Sequence, residues 1–585
     1  MNRLTRIYTF TALTLLSFVI LSCAGQPEPR ELPPLKEISA EELEKQIDDE
    51  HPIAAWELAD DLFRRNILNA GEHRRYQEEI SLLLERLYQT AMEENAFEDA
   101  LRYADAARLI DEPVLDDTEL KELRLKQLES LLDREERIAA YAHAKDLLQQ
   151  GLLSSADLEF LILDARENGY AVYAGLLEGE KPTLLSSLQE DLPGIVDSTV
   201  TIWVNRGIRV ESGMGFPDRV IGSGFFIDYR GYILTNYHVI ESEVDPEYEG
   251  FSRLFIREGG SSSTKIPARV VGWDPLLDIA LLKAEVSPEY IFTPGREDLR
   301  LGEPIYAIGS PGGLEKTITS GIVSAVDRRL LQIGDAMQID VPINQGNSGG
   351  PLLNENGMLV GVVFAGIEFF EGINFAVPSF WLTRILPRLY EEGEIEHAWL
   401  GAALNETSQG LTALYAVPGT PAERGGIKEG DQLLQVNGEP VASLRRVHAL
   451  LIAEKPGRMV RTLWKRTDGT EETVYFELQK RPRIPMLEAA RRDSEEDLIL
   501  PLFGMQIEET GSTLWEKGYI ITKVYPGSIA DETGLSVNDP FFWRGLKIDE
   551  EQKVALFQII IKKRKAGFLE SSIQMGAYIE VDYFI

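Results

Sequence analysis

The 585-residue sequence has a single cysteine, Cys23, so no disulfide can form within the chain. Histidine is nearly as scarce: His51, His73, His143, His238, His397 and His448 are the whole supply of imidazole bases and metal ligands. Basic residues are outnumbered, 59 Lys and Arg against 95 Asp and Glu, and the formal net charge of −36 argues against a phosphate-backbone footprint and against electrostatic docking onto anionic lipid. No nucleic-acid partner is therefore expected. Long apolar runs are also missing beyond residues 8–21, which are too few to span a bilayer stably. Apolar residues still make up 44% of a chain too long for one core, so three or four globular domains are expected.

Residues 1–22 carry Arg3 and Arg6, then the apolar run, then Ser22, the pattern of an export signal. Ile20-Leu21-Ser22-Cys23 resembles a bacterial lipobox, with Leu21 bulkier than usual, which implies lipidation at Cys23 and a lipid anchor in a bacterial envelope membrane. An ordinary signal peptide cut a few residues later is the alternative. Residues 26–35 hold four prolines and read as an extended tether.

The acidity is uneven. Residues 24–190 hold 39 acidic and 18 basic side chains, a balance of −21, which marks a separate domain with a solvated acidic surface. From Ser39 to Gly179 apolar residues recur at helical spacing. Ala55-Trp56-Glu57-Leu58-Ala59, Ala100-Leu101-Arg102-Tyr103-Ala104 and Ala140-Tyr141-Ala142-His143-Ala144 share an alanine core at intervals of 45 and 40 residues. Around Phe97, Ala100, Ala104, Ala107 and Pro113 this resembles a tetratricopeptide repeat, which implies helical hairpins for a protein partner or a spacer. A plain helical bundle fits the same pattern.

After Pro193-Gly194 the chain turns to short β-branched and aromatic runs, an all-β domain closed by a helix over Ser379 to Glu392. Within it, Asn344-Gln345-Gly346-Asn347-Ser348-Gly349-Gly350-Pro351 presents a serine among glycines, and the amides of Gly346, Asn347 and Ser348 could converge on one oxyanion. A serine nucleophile needs a base and an anion to orient it. His238 is the one histidine in this domain and ends a strand; Asp278 ends another, inside an apolar run. The order His238, Asp278, Ser348, with separations of 40 and 70 residues, is that of chymotrypsin-like enzymes.

These motifs resemble the HtrA (high-temperature requirement A) family of trypsin-like serine peptidases. The resemblance rests on Gly222-Ser223-Gly224-Phe225, Leu234-Thr235-Asn236-Tyr237-His238-Val239, Asp274 to Leu282, Ala307-Ile308-Gly309-Ser310-Pro311, Thr319 to Ser324, Asn344 to Leu352 and Gly372 to Pro378. It implies Ser348 as nucleophile, His238 as general base and acid, Asp278 as its orienting anion, and the Gly346 and Ser348 amides as oxyanion hole. It also implies a homo-trimer or larger assembly built through the protease domains. Gln345 replaces the family's usual proline, and Gly312-Gly313 its Phe-Gly. Apolar Pro342, Ile343, Val362 and Phe364 are the expected substrate pocket, suited to small or medium aliphatic side chains.

Trp399-Leu400-Gly401-Ala402, Pro418 to Ala422, Gly426 to Asp431 and Val436-Asn437-Gly438 resemble a PDZ domain, which implies that the amides of Leu400, Gly401 and Ala402 hold a peptide C-terminus. A degraded second copy follows, in which Pro540 to Arg544 stands where an apolar strand is expected. The expected organisation is a lipoprotein-type signal (1–22), a tether (23–38), an all-α helical-repeat region (39–190), an all-β chymotrypsin-like double barrel (191–395), a first PDZ domain (396–482), a linker (483–498) and a degenerate PDZ-like α+β domain (499–585). The function read from this is an exported serine endopeptidase, without metal or cofactor, that cleaves misfolded or exposed polypeptides in envelope quality control. A chaperone or scaffold with a dormant protease fold, or a narrowly specific processing protease, is the alternative.

Overall fold

The computed structural model describes residues 39–178, 192–211, 214–246, 248, 250–258, 264–292, 299–310, 316–344, 346–366, 373–512, 517–564 and 568–585. The signal segment, Cys23, the tether, Gly312-Gly313 and Gln345 lie outside them. No helix among the described residues is long and apolar enough to cross a membrane.

Eight helices run from Ala40–Asp48 to Ala171–Glu178. Three of them start at capping boxes, Asn69 with Glu72, Asp116 with Glu119 and Ser154 with Asp157, in which side chains satisfy amides that the first turn leaves unpaired. The three alanine motifs fall on helices Pro52–Arg64, Phe97–Leu109 and Arg137–Gln149, each of 13 residues. Ala55, Ala59, Ala100, Ala104, Ala140 and Ala144 are all buried. With only a methyl group at these positions, neighbouring helices approach closely.

The β domain has twelve strands: β1 Thr199–Glu211, β2 Met214–Asp228, β3 Tyr232–Thr235, β4 Leu254–Arg257, β5 Ile266–Asp274, β6 Ile279–Ala284, β7 Pro304–Gly309, β8 Thr317–Arg328, β9 Ala336–Ile339, β10 Pro351–Leu353, β11 Leu359–Gly366 and β12 Asn374–Pro378. The first six pair in the order β5-β4-β1-β2-β3-β6, with β6 returning to β5. The second six close as β10-β11-β12-β9-β8-β7. Two six-stranded barrels of the trypsin fold result, and helix Ser379–Leu389 covers them with Trp381, Ile385 and Leu389 fully buried.

Beyond the barrels, a first PDZ-like sheet orders Ala402–Thr407, Gly410–Ala416, Gln432–Val436, Met459–Lys465 and Glu471–Glu477, with helix Leu444–Leu451 beside it. The last domain is an antiparallel meander of Met505–Ser512, Lys517–Val524, Pro540–Asp549, Val554–Arg564 and Phe568–Tyr578. Two expectations are corrected here. The segment 483–498 is more than a linker, because helix Pro485–Arg492 buries Met486 and Ala489 in the core of the last domain. Pro540 to Arg544 does form a strand, since Phe541 points inward and is 2% exposed while Pro540 opens the strand, where its missing N–H is tolerated. What this domain lacks, among the described residues, is a helix between the strands ending at Asp549 and starting at Val554, the place where a groove wall would stand.

The helical region touches both neighbours. Arg230 of the first barrel stacks 3.5 Å from the Tyr170 ring and pairs with the Asp228 carboxylate. At the other end, Glu57 is 2% exposed, and its Oε1 accepts from Arg424 Nε at 3.0 Å while its Oε2 accepts from the Glu477 amide at 3.1 Å. Trp56 packs edge-on against Tyr475. Burial pushes the Glu57 carboxyl up to about 7, against the pull of Arg424.

Removing one member of a buried ion pair strands the other. Arg424→Ala is expected to cost about 3–5 kcal/mol, read as earlier thermal unfolding and faster proteolytic release of the helical region. Replacing both Glu57 and Arg424 with leucine should recover most of that loss; a single-variant loss below about 1 kcal/mol, the range of exposed pairs, would show that this pair does not hold the two domains together.

Candidate active site

Strand β3 carries the chain out of the first barrel, and His238 stands on the first turn of the helix Tyr237–Val244 that follows. Asp278 lies in the β5–β6 turn at φ +55°, a left-handed conformation that aspartate accepts more readily than most residues. That turn aims its carboxylate back at His238, with Oδ2 2.8 Å from Nδ1 and Oδ1 accepting the His238 amide at 2.9 Å. Asn236 Nδ2 donates to the Asp278 carbonyl at 2.8 Å, which pins the same peptide. Partial desolvation disfavours the charged ring, but the adjacent carboxylate outweighs it and holds His238 above the usual imidazole range.

Ser348 sits in the turn between β9 and β10. Its carbonyl accepts the Ser223 amide at 2.8 Å, and Gly349, at φ +84°, donates its amide to Val363 O at 2.8 Å. A Cβ on Gly349 would lie 2.2 Å from Ser223 O and from Thr235 Oγ1, so only glycine lets the two barrels meet here. Ser348 Oγ donates to Phe364 O at 3.3 Å, and among the described residues no hydrogen bond joins it to His238. The Asp278–His238 pair is therefore closed, whereas the serine hydroxyl rests on a carbonyl.

Residues 222–362 match the trypsin-like peptidase domain family, 413–466 the PDZ domain family, and 486–579 the TP0546 family PDZ domain. A DegP-like periplasmic serine endoprotease of Marinomonas sp. is 33% identical over 342 residues, covering 54% of this chain and 69% of the relative. One from Bartonella henselae is 33% identical over 344 residues, covering 54% and 65%. The chain belongs to the HtrA family of trypsin-like serine endoproteases. Among solved structures, the HtrA-type protease AlgW with a decapeptide matches at 25% identity and a TM-score of 0.41, covering 49% of this chain and 96% of that one.

Two expectations about the HtrA site change. Of the three amides expected in the oxyanion hole, that of Asn347 is spent on Asn344 O at 3.0 Å. Among the described residues the amides of Gly346 and Ser348 meet no acceptor. In the expected substrate pocket, Pro342 is exposed and Ile343 and Phe364 are half-buried, with Phe364 6.4 Å from the Phe375 ring. Val362 is fully buried with Ile308, Leu353 and Val377, in the cluster against which Phe364 also packs, so its side chain is closed to a substrate in this structure.

The first PDZ domain has its own site. The amides of Leu400, Gly401 and Ala402 converge on one oxygen, that of Ile585, at 3.1, 2.8 and 3.3 Å. Gly401, at φ +88°, must be glycine, since a Cβ there would lie 2.3 Å from Thr420. No group of three or more His, Cys, Asp or Glu among the described residues could hold a metal ion.

Ser223 has no evident role in the sequence, although it lies in the Gly222-Ser223-Gly224 motif. Its Oγ donates to Gly346 O at 2.6 Å and accepts the Ser310 amide at 3.0 Å, and Ser310 Oγ in turn accepts from Thr201 at 2.7 Å. The residue is fully buried. Its neighbours are far away in the chain, so only the Gly222-Ser223-Gly224 context hinted at it. Ser223→Ala is expected to lower kcat by about 10²-fold, the penalty of a site displaced by about 1 Å, with a much smaller change in KM. Peptide turnover by purified variant and parent checks this; unchanged kcat would show that the turn is held without Ser223.

Proposed function

We propose that Ser348 is the nucleophile of an envelope endopeptidase, with His238 as general base and then acid, Asp278 as its orienting anion, and the Gly346 and Ser348 amides as the oxyanion hole. The observation that carries this reading is the two-point grip of Asp278 on the backbone and ring of His238, which fixes the imidazole with Nδ1 toward the carboxylate and leaves Nε2 for the serine. Once the Ser348 hydroxyl leaves Phe364 O, it passes its proton to Nε2 as Oγ attacks the scissile carbonyl. The oxyanion is met by the two amides, the imidazolium returns the proton to the leaving amine, and water then releases the acyl group by the same steps in reverse.

The substrates are unfolded or exposed polypeptides, and the side chain before the cleaved bond is aliphatic, to match Ile343 and Phe364. The first PDZ domain receives peptide chain ends at Leu400, Gly401 and Ala402. Periplasmic residence agrees with the names of the relatives. Lipidation at Cys23 would hold the enzyme at a membrane.

Labelling with a fluorophosphonate, followed by mass mapping, is expected to mark Ser348 and to fail in Ser348→Ala and His238→Ala. A label elsewhere, or unchanged turnover in Ser348→Ala, would overturn the assignment.

The pH profile gives a second check. His238 must be neutral to accept a proton, and its pKa is raised, so kcat/KM should fall as pH drops through a value above the ordinary imidazole 6.5. Asp278→Asn removes the charge that raises it. The acid limb should then shift to lower pH while the plateau falls by about 10⁴-fold; an unmoved acid limb would assign it to another group.

A further inference from the structure

The peptide groove of the first PDZ domain is already filled. Residues 583–585 lie antiparallel along the free edge of Ala402–Thr407, with Phe584 bridged to Ala403. The Leu404 amide donates to Tyr583 O at 2.8 Å and the Ile585 amide to Ala402 O at 2.9 Å, the two-residue alternation of an added strand. At the end of that strand the three amides of Leu400, Gly401 and Ala402 surround the Ile585 oxygen. The Ile585 side chain is 2% exposed and shares a buried cluster with Leu400, Val447 and Leu451, the last two on the helix that walls the groove. The cavity left between Ile333, His448, Leu451, Phe584 and Ile585 is about 10 Å³, scarcely room for one water.

The tail is also tethered on the way in. Tyr583 Oη donates to Pro501 O at 2.7 Å, and Asp582, 9% exposed, lies 3.5 Å from Arg329 on the protease hairpin between β8 and β9. That hairpin holds the PDZ domain from the other side too, where the Gly334 amide donates to His448 Nδ1 at 3.0 Å.

We infer that residues 583–585 are a built-in ligand of the first PDZ domain, and that an outside chain end must displace them to bind. The groove is thereby assigned a ligand chemistry: an aliphatic side chain in the pocket, with its main-chain oxygen held by the three amides, preceded by aromatic side chains. This rests on the reading of that domain as a receptor for chain ends. The last domain then acts as the holder of the competing ligand, which agrees with its having no groove-walling helix of its own among the described residues.

The probe is a fluorescent peptide ending Val-Asp-Tyr-Phe-Ile with a free carboxylate, titrated by anisotropy into the purified full chain, into Ile585→Glu and into a chain lacking residues 583–585. If the tail leaves the groove open a tenth of the time or less, both altered chains bind the peptide at least about tenfold more tightly than the parent, and the peptide amide binds poorly to all three. Equal affinity for parent and altered chains would overturn self-occupancy while leaving the receptor reading intact. No binding to any of the three would overturn both. Because Phe584 and Ile585 are buried, the altered chains can lose structure, so hydrogen exchange on the parent supplies a second test. The amides of Leu400, Gly401, Ala402 and Leu404 should be protected without added ligand, and rapid exchange there would defeat the proposal.

Discussion

The hydrogen bond from the Ser223 amide to the Ser348 carbonyl is the constraint on which the rest of the protease depends. A serine in a glycine-rich turn has no fixed position of its own, since residues such as Gly349 give the backbone freedom as well as access to unusual angles. Here the freedom is removed from both barrels. Ser223 on β2 holds Ser348 and Gly346 together, Thr235 Oγ1 holds the Ser223 carbonyl at 2.7 Å, and Ser310 on the second barrel completes the link. Thr235 stands three residues before His238, so the strand that delivers His238 also braces the turn that carries Ser348. The two halves of the site cannot move apart without exposing buried donors, and each such loss costs about 1–3 kcal/mol.

A second histidine–aspartate pair shows how far this bracing extends. His397, where the chain leaves the protease for the first PDZ domain, lies with Nε2 2.8 Å from Asp274 Oδ2, and both residues are buried. Burial alone would favour the neutral acid, but His397 and the amides of Leu276 and Leu277 outweigh it and hold the Asp274 carboxyl below its usual range. Asp274 begins the turn that ends at Asp278. The side chain that orients His238 is therefore presented by a turn whose other end is fastened to the interdomain connection.

What the sequence revealed and what it hid divide along a physical line. Features that depend on local pattern were legible: the glycine-rich turn around Ser348, the place of His238 at a strand end, the alanine spacing of the helices, and the Leu400-Gly401-Ala402 loop. Those whose roles arise from contact between distant segments were not. Val362 looked like a pocket residue because its neighbours are apolar, yet the packing of Ile308, Leu353 and Val377 around it buries it fully. Asn347 was counted as an oxyanion donor because its place in the turn allows it, but the turn closes by spending that amide on Asn344. The segment 483–498 read as a linker because its charged residues hide the spacing of Met486 and Ala489, which matters only once a sheet lies beneath it. Glu57 looked like one more acid on an acidic helix until Arg424, hundreds of residues later, came to meet it.

The domain order takes on meaning from these long-range contacts. The helical region grips the first barrel through Tyr170 and the first PDZ domain through Glu57. The last domain sends residues 582–585 back across that PDZ domain, where Asp582 reaches Arg329 of the protease. A PDZ domain in this setting differs from an isolated one. Its groove strand, Ala402–Thr407, is joined through Glu406 to Arg329 at 3.0 Å and to the Leu444 amide at 3.0 Å, so the strand that receives a ligand, the helix that walls the groove and the protease hairpin share one carboxylate. Whatever fills the groove must fit that shared arrangement. Residues 582–585 do so with an acid for Arg329, two aromatic rings for the neighbouring core and an aliphatic end for the pocket, which is why the segment can serve as both a piece of the fold and a ligand.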